Sequence, residues 1–156
     1  MNTTVILFHM KRLNIVPTGR LLLRAFRAFE ESIIEALKEK NISDIQLSHL
    51  NVIRHLDPQG MHLVDLARDA TLTKQAASKI VKDLKAKGYL DDIEDKNDKR
   101  AKRIVYTAKG RKLIEDATTI VSELEEHYQQ QLGERNYKTL RKTLLNMIEL
   151  AGGKNG

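Results

Sequence analysis

Apolar residues recur along this chain in blocks, and the spacing inside each block predicts an element. Over residues 19–40 they fall at Leu22, Phe26, Phe29, Ile33 and Leu37. Steps of four, three, four and four place all five on one face of a helix. Pro17-Thr18-Gly19 reads as its entry. Asn41 reads as its stop, because asparagine tolerates the left-handed C-cap conformation. Ser43 is expected to cap a second helix, with Gln46 three residues on completing a capping box. The inward face of that helix would be Leu47, Leu50, Val52 and Ile53, running to Leu56. Asp57-Pro58-Gln59-Gly60 is a turn signal.

A short helix follows with Leu63, Leu66 and Ala67 inward, broken at Asp69-Ala70-Thr71-Leu72. Thr73 can N-cap the next helix, and Gly88 stands where a C-cap glycine belongs. Between them, Ala77, Ile80, Val81 and Leu84 lie at i, i+3, i+4 and i+7 and predict a buried stripe. Gln75, Ser78, Lys79 and Lys82 fall on the opposite face, joined by Lys74 at the N-terminal end. Two helices joined by a tight turn, the second apolar behind and basic in front, describe a helix-turn-helix. Two β-prone runs come next, residues 89–94 and 102–107, around the charged tip Asp95-Lys96-Asn97-Asp98-Lys99-Arg100. They predict a hairpin, and a hairpin in that position is a wing.

From Ala108 the helical period returns. Ile114, Ala117, Val121, Leu124 and Tyr128 alternate steps of three and four, and so do Tyr137, Leu140, Leu144, Met147 and Ala151. That alternation marks helices packed nearly parallel. Gly133-Glu134 separates the two. Three such seams exceed what one chain needs to bury, so the terminal helices are expected to pair two copies. The residues expected at that interface are Leu22, Phe26, Phe29, Val121, Leu124, Tyr128, Leu140, Leu144 and Met147.

Charge sharpens this picture. The chain carries 27 Lys and Arg against 21 Asp and Glu, a net +6. Lys74, Lys79, Lys82, Lys85 and Lys87 stand against Asp83 alone between residues 73 and 90, so +4 of that surplus sits in one helix-sized window. Such a face suits a polyanion. There is no Cys, which excludes disulfides, thiolate metal sites and cysteine-based redox sensing in this chain. Aromatic residues are 4% of the chain and Trp is absent, which argues against a stacking platform for single strands. No apolar run approaches the roughly 18 residues of a membrane span. Val5-Ile6-Leu7-Phe8 is too short for a signal-peptide core and no basic region precedes it. A cytoplasmic location is expected.

Enzyme signatures are missing: no glycine-rich phosphate loop, no nucleophile elbow and no His-Glu-x-x-His. His9, His49, His55, His62 and His127 do not complete a metal set, since His49 and His55 are six apart and no carboxylate–histidine constellation joins them. Neither a metal nor a cofactor is expected.

The order of these elements, with the stretches "HLVDLARDATLTKQAASKIVKDLKAKGYL" and "DKNDKRAKRIVYTAKGRKLI", resembles the MarR family of winged helix-turn-helix transcriptional regulators. Asn97-Asp98-Lys99-Arg100 at the tip and Thr107-Ala108-Lys109-Gly110 at the exit match the family's wing pattern, and the likeness runs from about Gly19 to Ala151. The resemblance implies a mainly α fold with a small β-hairpin wing, as a winged helix-turn-helix lobe joined to a helical dimerisation lobe. It implies a triangular homodimer with interlocked terminal helices and a recognition helix from Thr73 to Lys85. It implies an Arg100 that enters the minor groove, and repression relieved by a small-molecule effector bound between the lobes. The expected division is an N-terminal arm and dimerisation helix over 1–42, a DNA-binding lobe over 43–107, and C-terminal dimerisation helices over 108–156.

In one place the chain departs from the family. Many members carry a basic residue after the Gly-aromatic-aliphatic turn, where this chain has Asp91-Asp92. Five acids and five bases make residues 91–103 neutral, so the acids are expected to turn away from a duplex and the bases of the tip and return strand toward it.

On the recognition helix, Gln75 suits adenine, Lys74 or Lys79 guanine, and Ser78 either a base or a phosphate. Ala76 permits close approach or a thymine-methyl contact, and the helix N-terminus at Thr73 favours a phosphate. Lys82 and Lys85 are expected on the flanking backbone. In the wing, Asp98, Lys99, Arg100 and Lys102 are expected to contact DNA, Asp98 holding the Arg100 guanidinium in place for a narrow minor groove. The expected partner is double-stranded DNA carrying a pseudo-palindromic site. An alternative is a winged-helix protein-interaction or architectural protein with weak or non-specific DNA binding. The neutral wing favours that alternative and the lysine face opposes it.

Overall fold

The computed structural model describes residues 16–95 and 101–152. The first fifteen residues and the wing tip with Asp98, Lys99 and Arg100 lie outside the described residues. The order is α1 (Thr18–Glu39), α2 (Leu47–His55), α3 (Leu63–Asp69), α4 (Lys74–Ala86), β1 (Leu90–Glu94), β2 (Lys102–Tyr106), α5 (Ala108–Leu132) and α6 (Glu134–Gly152). The fold is mainly helical with one two-stranded antiparallel hairpin. In the hairpin Leu90 pairs with Tyr106 and Glu94 with Lys102. Met61 extends it through a bridge to Ile104, so the turn before α3 lies along the wing's return strand.

Helix α1 packs on α5, α4 sits against both α2 and α3, and α6 folds back on α5. The core between them is apolar, and its fully enclosed side chains are Leu37, Val52, Leu66, Leu84, Leu113 and Ile120. In α4 the buried residues are Ala77, Val81 and Leu84, three of the four expected, with Ile80 half-buried. Leu113 and Ile120 lie outside the seam read on α5, yet they are the residues of that seam's helix that the chain itself encloses. Residues 114, 117, 121, 124 and 128 are half-buried.

Helix ends account for much of the chain's punctuation. Asn41 has a φ of 63°, and the Ile42 N–H reaches the Leu37 carbonyl at 2.9 Å, a Schellman closure of α1. Helix α3 closes in the same way, with the Leu72 N–H on the Ala67 carbonyl at 2.8 Å. There the left-handed residue is Thr71, at a φ of 56°. A β-branched residue is disfavoured in that region, so the turn of the helix-turn-helix is held by its packing rather than by local preference.

Two sequence expectations are corrected. The second helix is not capped by Ser43: it begins three residues later, with Gln46 at the N-cap. The Gln46 N–H donates to Nδ1 of His49 at 3.0 Å, so a histidine replaces the acidic or amide partner of the usual capping box. Leu47 then falls in the first turn on the solvent side, 41% exposed, and His49 takes the inward place.

The junction between α4 and α5 is the tightest in the fold. Gly88, at a φ of 79°, lets the Tyr89 N–H return to the Leu84 carbonyl at 2.9 Å. The exposed carbonyls beyond α4 are all taken by the start of α5. The Lys109 ammonium donates to the Lys87 carbonyl at 2.8 Å and the Thr107 hydroxyl to the Gly88 carbonyl at 2.7 Å. The Thr107 N–H reaches the Tyr89 carbonyl at 3.1 Å. Thr107 Oγ1 also caps α5 by accepting the Gly110 N–H at 3.0 Å. A Cβ on Gly110 would stand 2.1 Å from the Tyr89 carbonyl oxygen, so only glycine fits this approach. Gly110→Ala is therefore expected to cost about 1–3 kcal/mol of stability in urea unfolding. Gly19→Ala, where nothing lies within 4 Å of the added methyl, should be neutral or slightly stabilising.

A candidate nucleic-acid interface

The turn after α3 delivers the chain to Thr73, whose hydroxyl accepts the Ala76 N–H at 3.1 Å and starts α4. One hydroxyl satisfies one of the first-turn donors, and the rest of that end is open to a ligand. With Ala77, Val81 and Leu84 facing the core, the three-four period turns Lys74, Gln75, Ser78, Lys79 and Lys82 outward, and all five are exposed. Ala76 is half-buried beside them. The residues singled out on this helix thus share one solvent face.

The five lysines of the window divide into two sets. Lys85 pairs with Asp92 on β1, and Lys87 with Asp83 one turn back. Lys85 is therefore not a free phosphate contact, contrary to the expectation from its spacing. The Lys85 pair also gives Asp92 its partner: the acid that breaks the family's pattern is turned onto the end of α4 and neutralised there. Among the described residues, Lys74, Lys79 and Lys82 form no ion pair, so the uncompensated charge of α4 is confined to its exposed front. Lys102, at the start of β2, is exposed as well.

What holds α4 at its angle is partly polar. His49 is 2% exposed, and its Nε2 donates to Asp83 Oδ2 at 2.8 Å while Nδ1 accepts the Gln46 N–H. The neutral ring protonated on Nε2 satisfies both bonds, so the α2 cap and the recognition helix share one imidazole. Burial, then the positive Lys87 nearby, pushes the His49 pKa below its ordinary value, and Asp83 offsets only part of this. The hydrogen bond from Lys87 holds the Asp83 carboxyl below the usual carboxylate range. On the other side of α4, the Tyr89 hydroxyl donates to Asp44 at 2.7 Å, and the Lys109 ammonium lies 4.1 Å over the Tyr89 ring. The Tyr106 hydroxyl, buried and raised in pKa chiefly by that burial, donates to the Ile53 carbonyl at 2.7 Å and closes the end of α2.

These geometries meet a consistent set of relatives. Residues 42–101 match the family model described as the MarR family. A curated relative, the HTH-type transcriptional regulator BilQ of Clostridioides difficile (strain CD3), is 25% identical over 123 residues, covering 79% of this chain and 80% of its own. The chain is thus similar to the MarR family over residues 42–101 and to a transcriptional regulator over most of its length.

Two solved structures, among others, share this fold. CouR from Rhodococcus jostii RHA1, bound to p-coumaroyl-CoA, superposes with a TM-score of 0.63 at 22% identity, over 83% of this chain and 90% of its own. A point mutant of S. aureus MepR bound to an oligodeoxyribonucleotide superposes at 0.58 and 22% identity, over 88% of this chain and 99% of its own.

The remaining features of the chain are a cavity and an apolar surface. A cavity of about 420 Å³ lies between α1, α2, β2 and α5 and is lined by Ile33, Leu50, Ile53, Tyr106, Ile114 and Val121 among others. No motif marks it, because its lining is gathered from four elements. Arg54 stands at this cavity, bonded to Glu30 at 2.7 Å and lying 5.1 Å over the Phe26 ring.

Of the residues expected between copies, Phe29 and Tyr128 stack on each other at 6.0 Å within the chain. Val121 and Leu124 pack against the core. Leu22 and Leu144 are half-buried, and Phe26, Leu140 and Met147 are exposed. Helix α6 has no buried residue, and Leu145, Ile148 and Leu150 are 59%, 67% and 75% exposed. Among the described residues, no helix is long and apolar enough to cross a membrane. None of the four described histidines joins a group of three or more metal-ligating side chains among the described residues.

The His49 linkage predicts a pH dependence. A histidine whose pKa falls on folding contributes stability that is whole above its unfolded value, about 6.5, and is lost as pH falls through the lowered folded value. Unfolding measured between about pH 7.5 and about pH 5 should show wild-type stability falling. His49→Ala should start about 1–3 kcal/mol lower at neutral pH, because the Gln46 N–H is left without its acceptor, and should fall less steeply. An equal pH slope in both proteins would place the dependence elsewhere.

Proposed function

We propose that this chain is a MarR-family transcriptional regulator, a homodimer that reads a pseudo-palindromic duplex site through α4 and represses until a small molecule binds. The observation that carries the reading is the front of α4. A hydrogen-bonding residue, Gln75, stands among three lysines with no ion pair among the described residues, over a back buried at Ala77, Val81 and Leu84. A helix of this kind fits the major groove, where base edges carry a readable code. Gln75 is assigned to a base edge, Lys74 and Lys79 to guanine or phosphate, Ser78 to either, and Lys82 to the flanking backbone. Ala76 allows the approach, and the Thr73 end of the helix takes a phosphate. Asp98, Lys99, Arg100 and Lys102 are assigned to the wing's contact with the duplex. MepR's bound oligodeoxyribonucleotide supports DNA as the partner.

Pairing is supported by the bare apolar face of α6 together with Phe26, Leu21 and Leu23 on α1. A monomer seldom leaves so many large apolar side chains of its terminal helices to water. In this reading residues 43–107 form the DNA-binding lobe, and residues 1–42 and 108–156 supply the pairing. Effector control is supported by the cavity, which touches α1 and α5 on one side and α2 and β2 on the other, and by CouR's bound p-coumaroyl-CoA. A molecule seated there would reset the angle between the paired helices and the lobe carrying α4. The alternative reading as a protein-interaction or architectural domain loses ground, because Asp92 is spent on Lys85 rather than left to repel phosphate.

Sedimentation equilibrium should return about twice the 17.8 kDa chain mass, and Leu140→Asp with Met147→Asp should return the monomer with weakened duplex binding. On a duplex preferred by the wild type, Gln75→Ala should lose about 1–3 kcal/mol of discrimination against a single-base change. Lys82→Ala should weaken all duplexes alike and flatten the salt dependence by about one counterion. Uniform weakening by both substitutions would remove Gln75 as a base reader.

A further inference from the structure

A second histidine, beside the wing near its tip, makes the opposite demand to His49. His62 is the N-cap residue of α3, and its ring reaches the end of one wing strand and the start of the other. Its Nε2 is 3.2 Å from Asp95 Oδ2, beyond the end of β1, and its Nδ1 is 3.1 Å from the Lys102 carbonyl oxygen at the start of β2. A carbonyl and a carboxylate both accept hydrogen bonds, so each ring nitrogen has to donate. Neutral imidazole carries one N–H, and only the imidazolium carries two. Asp95 is nearly enclosed, its side chain 6% exposed, which makes the loss of a donor costly.

The surrounding charges fit a cationic ring. From β2 the Arg103 guanidinium lies 3.6 Å from the same Asp95 oxygen, and its other nitrogen is bonded to the Gly60 carbonyl. On α3, Asp65 and Asp69 are both turned onto Arg68. In the preceding turn, Asp57 accepts the Gln59 N–H at 2.6 Å. Among the described residues, Asp95 is the acid paired with His62, and Arg103 is a cation that shares it.

We propose that His62 is a proton-dependent clasp for the wing. Charged, it ties both strands to the start of α3 and so to the helix-turn-helix. Deprotonated, it keeps one strand and releases the other. The wing is held firmly below the ring's titration and loosens as pH rises through it. The bond that reports this is the Asp95 N–H on the Ala101 carbonyl, 3.1 Å long, which closes the hairpin just inside the tip. The consequence for DNA, tighter duplex binding at the acidic side, rests on the functional reading above; the clasp itself does not.

The test uses the full chain without DNA. Histidine ring ¹⁵N spectra across about pH 5.5 to 8.5 read the protonation of each nitrogen, and amide exchange reads the protection factor at Asp95. Both His62 nitrogens should carry protons at the acidic end. Loss of the second proton should coincide in midpoint with a fall of about fivefold or more in Asp95 protection, the scale of one charge-assisted hydrogen bond. His62→Gln should remove the pH dependence of that protection. A ring neutral across the whole range, or protection unchanged through its titration, overturns the proposal. Both readouts exist in the wild-type protein, so the outcome does not depend on the variant's folding.

Discussion

The structure turns on how the end of α4 is fastened to the start of α5. A helix end leaves carbonyls that need donors. Here the donors come from the next helix rather than from water: Lys109 for Lys87, the Thr107 hydroxyl for Gly88, and the Thr107 N–H for Tyr89. Gly88 turns the chain, and Gly110 lets α5 lie directly on the Tyr89 carbonyl. The wing is then an excursion of the chain that returns to its starting point. Its first and last residues, Leu90 and Tyr106, are a register pair and are both buried. Any change in the direction of α5 is passed to α4 through these hydrogen bonds and the glycine contact. In the proposed function, that would be the path by which events among the long helices reach the face of α4.

Electrostatics on α4 follow from the same economy of contacts. Its C-terminal lysines are used internally, Lys85 on Asp92 and Lys87 on Asp83, while Lys74, Lys79 and Lys82 stay in solvent. Asp83 in turn meets His49, which caps α2. The helix is therefore anchored by charge at its back and C-terminal end, and charged for a partner at its front and N-terminal end. His49 works as a neutral ring that accepts and donates; His62 faces two acceptors.

Much of this is legible in the sequence because it is local and periodic. The stripe of Ala77, Val81 and Leu84, the caps at Thr73 and Gly88, the stop at Asn41 and the break after α5 each follow from spacing or from one residue's backbone preference. The exposed face of α4 follows from the same stripe. Features that need a third dimension are not legible. Nothing in the sequence ranks Gln46 over Ser43 as a cap, because His49 becomes a capping partner only when Asp83 comes to its other nitrogen. Leu113 and Ile120 escape a reading by spacing because an alternating seam can be drawn one residue aside. Thr71 breaks a helix as expected, but its left-handed backbone is imposed by the packing of α3 on α4. The cavity has no local signature at all, being lined by residues from position 33 to position 121. Lys85 has the spacing of a DNA contact, and only the fold brings Asp92, seven residues on, back to meet it.

That the front of α4 reads sequence in two symmetric copies is tested most directly by selecting bound duplexes from a random pool at about 0.15 M salt. The expected result is recovery of one inverted repeat, with half-site centres separated by about one helical turn, roughly 34–36 Å. Recovery of no consensus, with retention collapsing as salt rises, would contradict it and leave α4 a non-specific phosphate binder.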